Sequence, residues 1–212
     1  MNKEILITAG AVDLPGDLEI PEAARGVVVF AHGSGSSRLS GRNRSVASVL
    51  RGSGHFGTLL FDLLTPREDA VYANRFDIGL LADRLEVATR DLLARPGLAG
   101  MPVGFFGAST GAAAAIVAAT RMPGVVDSVV SRGGRPDLAG GALGELRVPT
   151  LLIVGGLDYQ VIEMNEGALA AISAVDKRLD IVPGATHLFE ESGTLAQAAD
   201  LALGWFDRFL GR

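Results

Sequence analysis

Ser109 lies in a Gly-x-Ser-x-Gly sequence that spans residues 107–111. A short apolar run at 103–106 precedes it and predicts a buried strand. Residues 112–119 are strong helix formers. A sharp turn between a strand and a helix is the setting in which this motif exposes a nucleophilic serine. The simpler interpretation is a glycine-rich turn in which Ser109 only caps the helix, but the strand–turn–helix context favours a nucleophile.

A serine nucleophile needs a base to take its proton and an acid to orient that base. The chain has three histidines. His32 opens a Gly/Ser loop, and His55 precedes a predicted strand, which puts it at the wrong end of the sheet. His187 follows a predicted strand at the correct end, and Asp158 follows the strand before it. Their simpler interpretations are a surface-loop histidine and a helix N-cap, but the chain order Ser109, Asp158, His187 predicts a catalytic triad.

Attack on an ester carbonyl creates an oxyanion, which needs hydrogen-bond donors already in place. The backbone N–H of Thr110 is one expected donor, and that of Ser34 in the Gly/Ser loop is the second. The same loop could instead cradle a phosphate, but the Gly-Lys-Ser/Thr ending of a phosphate loop is missing.

These residues need a scaffold that brings strand ends together. Apolar runs predict strands at 4–8, 17–20, 27–31, 58–63, 103–106, 125–130, 150–154 and 178–182, and helical patterns lie at 43–51, 76–94, 112–119, 161–174 and 195–210. Residues 9–16 are expected to form a turn. The alternation predicts an α/β fold with a mostly parallel sheet covered by helices on both faces. Ligands bind such sheets at the carboxyl ends of the strands.

Length and composition narrow the possible functions. The 212 residues suit one domain over 1–212, and the net charge of −5 argues against a nucleic-acid partner. Without cysteine, and with scattered histidines, neither a disulfide framework nor a metal site is expected, and no cofactor is predicted. No apolar run is long enough to span a membrane, and the charged N-terminus is not a signal peptide, so a cytoplasmic protein is expected.

Taken together, the His32-Gly33 loop, the motif at 107–111, Asp158 and His187 resemble the α/β-hydrolase superfamily over nearly the whole chain. The closest resemblance is to its small lid-less members of the dienelactone-hydrolase type. Those enzymes use a cysteine nucleophile where this chain has Ser109, which favours a general serine esterase. Only residues 131–149 lie where larger members carry a lid, so the resemblance implies an open site.

The charged residues near this site have ordinary explanations. Arg132 and Arg135 would lie at the rim of the open site, where either could pair with an acidic substrate group, although solvated loop charges are the simpler interpretation. Three further arginines, at positions 38, 42 and 44, fit the polar face of a helix but could steer anionic substrates. Asp62 and Glu68 are each expected to make a local turn bond.

The function predicted from the sequence is hydrolysis of small carboxylic esters, short-chain or lactone-like, through an acyl-serine intermediate. An acyltransferase or a small peptidase could use the same triad, because the triad does not choose between water and another acceptor. A non-catalytic or designed protein on a hydrolase scaffold is the alternative from another class. The sequence does not indicate an oligomeric state.

Overall fold

A computed structural model describes residues 2–211 and contains one eight-stranded sheet. The strands are β1 (Asn2–Ala9), β2 (Val12–Glu19), β3 (Gly26–Ala31), β4 (Phe56–Phe61), β5 (Val103–Ala108), β6 (Val126–Arg132), β7 (Thr150–Gly155) and β8 (Lys177–Val182). Their spatial order is β1-β2-β4-β3-β5-β6-β7-β8. The first two strands form an antiparallel hairpin, and β2 also pairs with β4 in antiparallel orientation; the other neighbouring pairs are parallel. The predicted α/β class with a mostly parallel sheet is confirmed.

Seven α-helices cover the two faces of the sheet. They are α1 (Gly41–Gly52), α2 (Pro66–Asp69), α3 (Ile78–Ala94), α4 (Thr110–Arg121), α5 (Ala142–Glu145), α6 (Tyr159–Ala171) and α7 (Thr194–Phe209). Two 3₁₀ segments, Tyr72–Phe76 and Pro136–Ala139, complete the described elements. The buried side chains of α3, α4 and α6 share one hydrophobic core, and those of α1 and α7 share the other.

The central strands are fully buried because both faces carry helices. Every residue of β3, β4, β5 and β7 is buried, which matches their continuous apolar sequences. The carboxyl ends of the six parallel strands meet at one edge of the sheet. The loops that follow β3, β5, β6, β7 and β8 therefore lie next to one another along that edge.

Most element boundaries differ from the sequence prediction by one to three residues, and the start of β2 differs by more. The predicted turn at 9–16 is much shorter, since β2 already begins at Val12 and runs through Pro15. Proline is tolerated there because pairing of β2 with β4 begins only at Gly16. The strand predicted at 58–63 lies at Phe56–Phe61, and β6 extends two residues further than predicted, to Arg132.

The segment between β6 and β7 does not form a lid, as predicted. It contains the 3₁₀ segment Pro136–Ala139 and helix α5, which contact helices α4 and α6. Within residues 2–211, no helix combines the length and apolar character needed to cross a membrane.

Candidate active site

Ser109 occupies the tight turn between β5 and α4. Its backbone has a φ of 51° and a ψ of −122°, a conformation that non-glycine residues rarely adopt. The flanking glycines allow this turn, because a Cβ on Gly107 would lie 2.7 Å from the backbone N of Ala112, and one on Gly111 would lie 2.5 Å from the carbonyl oxygen of His32. Although Ser109 is the N-cap residue of α4, its side chain makes no capping hydrogen bond. The hydroxyl is thus held at the end of the strand without a capping role.

Two backbone donors lie close to this serine. The N–H groups of Thr110 and Ser34 donate to no acceptor within the described part of the chain. Thr110 opens helix α4, whose N-terminus carries partial positive charge. The Gly33–Ser34 loop approaches the serine so closely that a Cβ on Gly33 would lie 3.0 Å from Ser109 Cβ. Both donors therefore belong to chain segments that adjoin Ser109.

His187 and Asp158 are hydrogen-bonded to each other. The Nδ1–H of His187 donates to Oδ2 of Asp158 over 2.7 Å, and the two side chains are 39 % and 16 % exposed. Asp158 is the N-cap residue of α6, yet its side chain makes no capping bond. Because Nδ1 carries the hydrogen, a neutral His187 ring has its lone pair on Nε2. This is the tautomer that a general base needs.

The strands that carry this pair are joined closely at their ends. β7 pairs with β8 up to Gly155 and Val182, and a Cβ on Gly155 would lie 2.5 Å from the carbonyl oxygen of Ala185. Only glycine therefore lets the chain after β7 pass the loop that carries His187.

The His187 loop is fixed by local hydrogen bonds. Glu191 accepts from the backbone N–H of Thr186 over 3.0 Å and from its hydroxyl over 2.6 Å. These bonds lower the pKa of Glu191 below its ordinary value, the hydroxyl bond most strongly. Phe189, buried and with a φ of 56°, makes a tight backbone turn back to Thr186 over 3.2 Å. These bonds thus tie together the residues on either side of His187.

Ser109 and His187 line one cavity of about 250 Å³, which we call the strand-end cavity. It is open to solvent and collects residues from the loops after β3, β5, β6 and β8, together with the start of helix α1. Its lining residues are Gly33, Ser34, Ser36, Ser40, Arg42, Asn43, Ala108, Ser109, Arg132, Gly133, His187 and Leu188. The sequence did not indicate Asn43 or Gly133 as cavity residues. Ser40 is typical of a helix N-cap, and its hydroxyl accepts from the Asn43 N–H over 3.3 Å; this pattern could have placed Asn43 in the first turn of α1.

The other two histidines have structural partners. His32 is 7 % exposed; its Nε2 accepts from the Leu63 N–H over 3.0 Å, and its Nδ1–H donates to the Gly33 carbonyl over 3.0 Å. His55 lies at the opposite end of the sheet, where its Nδ1–H donates to Asp207 over 2.7 Å. Neither ring lines the strand-end cavity.

The two arginines predicted at the rim differ from each other. Arg132 is not a solvated loop charge: it ends strand β6, is 7 % exposed and lines the strand-end cavity. The loop interpretation was wrong because β6 continues past the apolar residues that mark its centre. Arg135 lies outside the cavity, where Asp137 accepts from its Nη2 over 2.7 Å. That hydrogen bond is the largest cause that raises the pKa of Arg135.

The remaining charges of the sequence analysis form ion pairs. Arg38 pairs with Asp62 over 2.6 Å and Arg44 with Asp17 over 3.1 Å, so Asp62 makes a long-range bond rather than a local one. Glu68 does make the local bond, to Thr65, and also accepts from Arg84 over 2.7 Å. Burial opposes ionisation of Glu68, but its hydrogen bonds to Thr65 and the charge of Arg84 lower its pKa overall.

The geometry gathers a hydroxyl, an imidazole oriented by a carboxylate, and two free backbone donors. These are the components of acyl transfer through a covalent serine intermediate. Within residues 2–211, no cluster of three or more histidine, aspartate or glutamate side chains could hold a metal ion.

Comparison with solved structures finds close similarity to a dienelactone hydrolase from Anabaena variabilis. It is 52 % identical, with a TM-score of 0.94, and the match covers 99 % of this chain and 98 % of that one. An esterase domain from Rhodothermus marinus, at 19 % identity and a TM-score of 0.76, and an α/β serine hydrolase homologue from Coxiella burnetii, at 18 % and 0.79, share the fold. The first covers 99 % of both chains, and the second 96 % of this chain and 97 % of that one.

Comparison with curated proteins gives a relative with a different name. Two strains of Mycobacterium tuberculosis contain proteins that are provisionally named phosphoribosyl transferases and are 59 % identical over 205 residues. The match covers 97 % of this chain but 46 % of those proteins, so the chain spans about half the length of these relatives. No family model matches the chain.

Proposed function

The chain belongs to the dienelactone-hydrolase-like α/β hydrolases, and on this basis we propose that it is a serine hydrolase of small carboxylic esters. Its hydrolase and esterase neighbours support an enzyme of the hydrolase class. The single observation that carries the finer proposal is that Ser109 borders the same cavity as His187, whose ring is hydrogen-bonded to Asp158. A dienelactone substrate itself is not proposed, because the nucleophile here is a serine.

In the proposed mechanism, Nε2 of His187 accepts the proton of Ser109 as the hydroxyl attacks the ester carbonyl. Asp158 holds the ring orientation and stabilises the imidazolium that forms. The N–H groups of Ser34 and Thr110 donate to the oxyanion. His187 then protonates the leaving alkoxide. The same ring then deprotonates a water molecule, which attacks the acyl-serine carbonyl; the imidazolium returns that proton to Ser109 Oγ as the carboxylic acid leaves.

The name of the Mycobacterium tuberculosis relatives describes a different reaction. We assign that name to the part of those proteins that this chain does not span, since the groups at its strand ends suit ester cleavage. Preparations that hydrolyse esters are therefore expected to release no pyrophosphate from phosphoribosyl pyrophosphate and a nucleobase.

Steady-state hydrolysis of p-nitrophenyl acetate by single and double variants tests the proposed roles. S109A and H187A should each lower kcat by about a thousandfold or more, and D158N by about ten-thousandfold, because D158N loses the required tautomer. Since the residues act as one unit, H187A and D158N combined should cost far less than the product of their separate losses.

The matched control is R135Q, which removes a charge near the site without touching the cavity and should keep normal turnover. Circular dichroism and unfolding curves would establish that each variant folds. Full turnover by folded S109A, or losses that multiply in the double variant, would refute the proposed triad.

A further inference from the structure

Arg132 is a buried cation without a counter-ion in the described part of the chain. Its Nη2 lies 3.4 Å from Asn43 Oδ1, and its Cζ lies 5.6 Å from the centre of the Phe189 ring. Its Nε and Nη1 atoms are buried and have no hydrogen-bond partner among residues 2–211. Within the same residues, no carboxylate forms an ion pair with this guanidinium, although the side chain is 7 % exposed.

An uncompensated buried charge is costly, so its retention at a cavity wall calls for a reason. Burial, followed by repulsion from Arg42, lowers the pKa of Arg132 to about 10. The side chain therefore remains a cation at neutral pH. No aspartate or glutamate is among the residues that line the strand-end cavity.

The start of helix α1 adds further positive potential to the same cavity. Ser40 caps this helix, and Ser40, Arg42 and Asn43 all line the cavity. The N–H groups of Gly41 and Arg42 donate to no acceptor within the described part of the chain. Helix N-termini with free N–H groups are favourable sites for phosphate and other anions.

Arg42 contributes a second cation that can be redirected. It pairs with Glu190 over 3.2 Å, but the two side chains are 36 % and 65 % exposed, so the pair is weak. The cavity therefore offers one buried guanidinium, a second at its rim, and the hydroxyls of Ser34, Ser36 and Ser40.

We propose that the strand-end cavity binds a phosphate monoester group carried by the ester substrate, with Arg132 as its buried counter-ion. The inference rests on the proposed function and names the substrate class of the same site. A phosphate dianion balances both guanidinium groups and has enough oxygens for the helix N-terminus and the hydroxyls as well. A carboxylate carries one charge and two oxygens, so it could balance Arg132 but would leave Arg42 with only its exposed pairing to Glu190.

Binding can be measured without turnover in the S109A variant. Calorimetric titration at pH 7.5 should give a Kd for phenyl phosphate at least about tenfold lower than for benzoate, which carries the same ring. Adding R132Q should weaken phenyl phosphate binding by about tenfold or more, R42Q should weaken it less, and R135Q should leave it unchanged.

Equal or tighter binding of benzoate, or unchanged phenyl phosphate affinity in folded R132Q, would overturn the proposal. If R132Q does not fold, R42Q decides, because its side chain lies at the rim: unchanged affinity for phenyl phosphate would then overturn the phosphate site.

A pair of esters links binding to turnover. R132Q should lower kcat/KM for p-nitrophenyl 3-phosphonopropanoate at least about tenfold more than it lowers kcat/KM for neutral p-nitrophenyl butyrate. Phenyl phosphate binding by a wild-type chain that cleaves neither ester would refute the ester hydrolase but keep the phosphate site. Cleavage of the neutral ester by a chain that does not bind phenyl phosphate would keep the ester hydrolase and refute the phosphate site.

Discussion

His32 joins the end of strand β3 to the chain beyond β4. Both ring nitrogens are used: Nε2 accepts from Leu63, and Nδ1–H donates to Gly33, next to the proposed oxyanion donor Ser34. This pattern requires the neutral ring, because a protonated Nε2 could not accept from the Leu63 N–H. Burial lowers the pKa of His32 from its ordinary value of 6.5, against the opposing effects of Gly33 and of the charges on Asp62 and Asp69.

This histidine should make stability depend on pH. Above pH 6.5 the ring is neutral in both states and its contribution is fully present. As the pH falls below 6.5, the unfolded chain binds a proton that the folded chain excludes until its lowered pKa is reached. The free energy of unfolding should therefore fall by up to about 1.4 kcal/mol per pH unit from this residue.

Urea unfolding at pH 7.5 and 5.5 measures that loss. H32Q keeps an acceptor for Leu63 but does not titrate, so the difference between the two pH values should be smaller than in the wild type. H55Q is the matched control, because His55 is half exposed and at the other end of the sheet. An equal pH dependence in H32Q and wild type would contradict the assigned neutral tautomer.

At the scale of single residues, the sequence indicated Ser109, Asp158 and His187 because each follows a strand of the parallel sheet. It could not distinguish a helix cap from a free side chain, which depends on where the side chain points. It also missed the burial of Arg132. Strand length was judged from apolar residues, whereas Ser131 and Arg132 are polar residues that continue the pairing with β7.

Among the elements, the β5–α4 turn makes the strictest demands on sequence. Ser109 has a strained backbone there, and the turn also approaches the end of β3 closely. A Cβ on Gly111 would overlap the carbonyl oxygen of Ala31 and lie 2.5 Å from that of His32. Both neighbours are backbone atoms of a central strand end, so they cannot move aside cheaply.

G111A should therefore lower the free energy of unfolding by about 2 kcal/mol or more and greatly reduce ester turnover. G204A is the control, because it should change the free energy of unfolding in the opposite direction. Gly204 lies in the interior of helix α7, and nothing lies within 4 Å of a Cβ placed there. Alanine at that position should raise the free energy of unfolding by about 0.5–1 kcal/mol and leave turnover unchanged. Chemical denaturation of both variants checks this; a stable, active G111A would contradict the close packing of the turn.

The central elements could be predicted because each is a continuous apolar run or has a helical periodicity, whereas the bounds of strand β2 could not. Pro15 and Gly16 are typical of a turn, but both lie in β2. Strand β2 is held by a complete ladder to β1 and by a partial one to β4, and these tertiary contacts override the local preference. The short helices α2 and α5 and the two 3₁₀ segments were also missed, because single turns have no periodicity to detect.

For the whole molecule, the important feature is that no segment within residues 2–211 covers the strand-end cavity. The segment between β6 and β7 packs against α4 and α6, and the strand-end cavity of about 250 Å³ has a largely polar lining. Little apolar surface is available for a long acyl chain. The α/β class and the missing lid were both predictable, since they follow from strand order and from loop length.

The enzyme should therefore prefer short acyl chains. If each methylene were buried in an apolar groove, it would add about 0.8 kcal/mol, or about fourfold in kcat/KM. We expect no such increase, with kcat/KM highest for acetyl to butyryl p-nitrophenyl esters and lower for decanoyl. Rates measured across that series, below the micelle concentration of the longer esters, check this. A steady rise to the decanoyl ester would contradict an open, polar site.

The central claim, that the fold exposes Ser109 as a covalent nucleophile, is tested most directly by labelling with a fluorophosphonate probe followed by peptide mapping. The account predicts one adduct, on Ser109, that is absent from folded S109A and from heat-unfolded wild type. An adduct on Ser34 or Ser36, or labelling that persists in S109A, would contradict it.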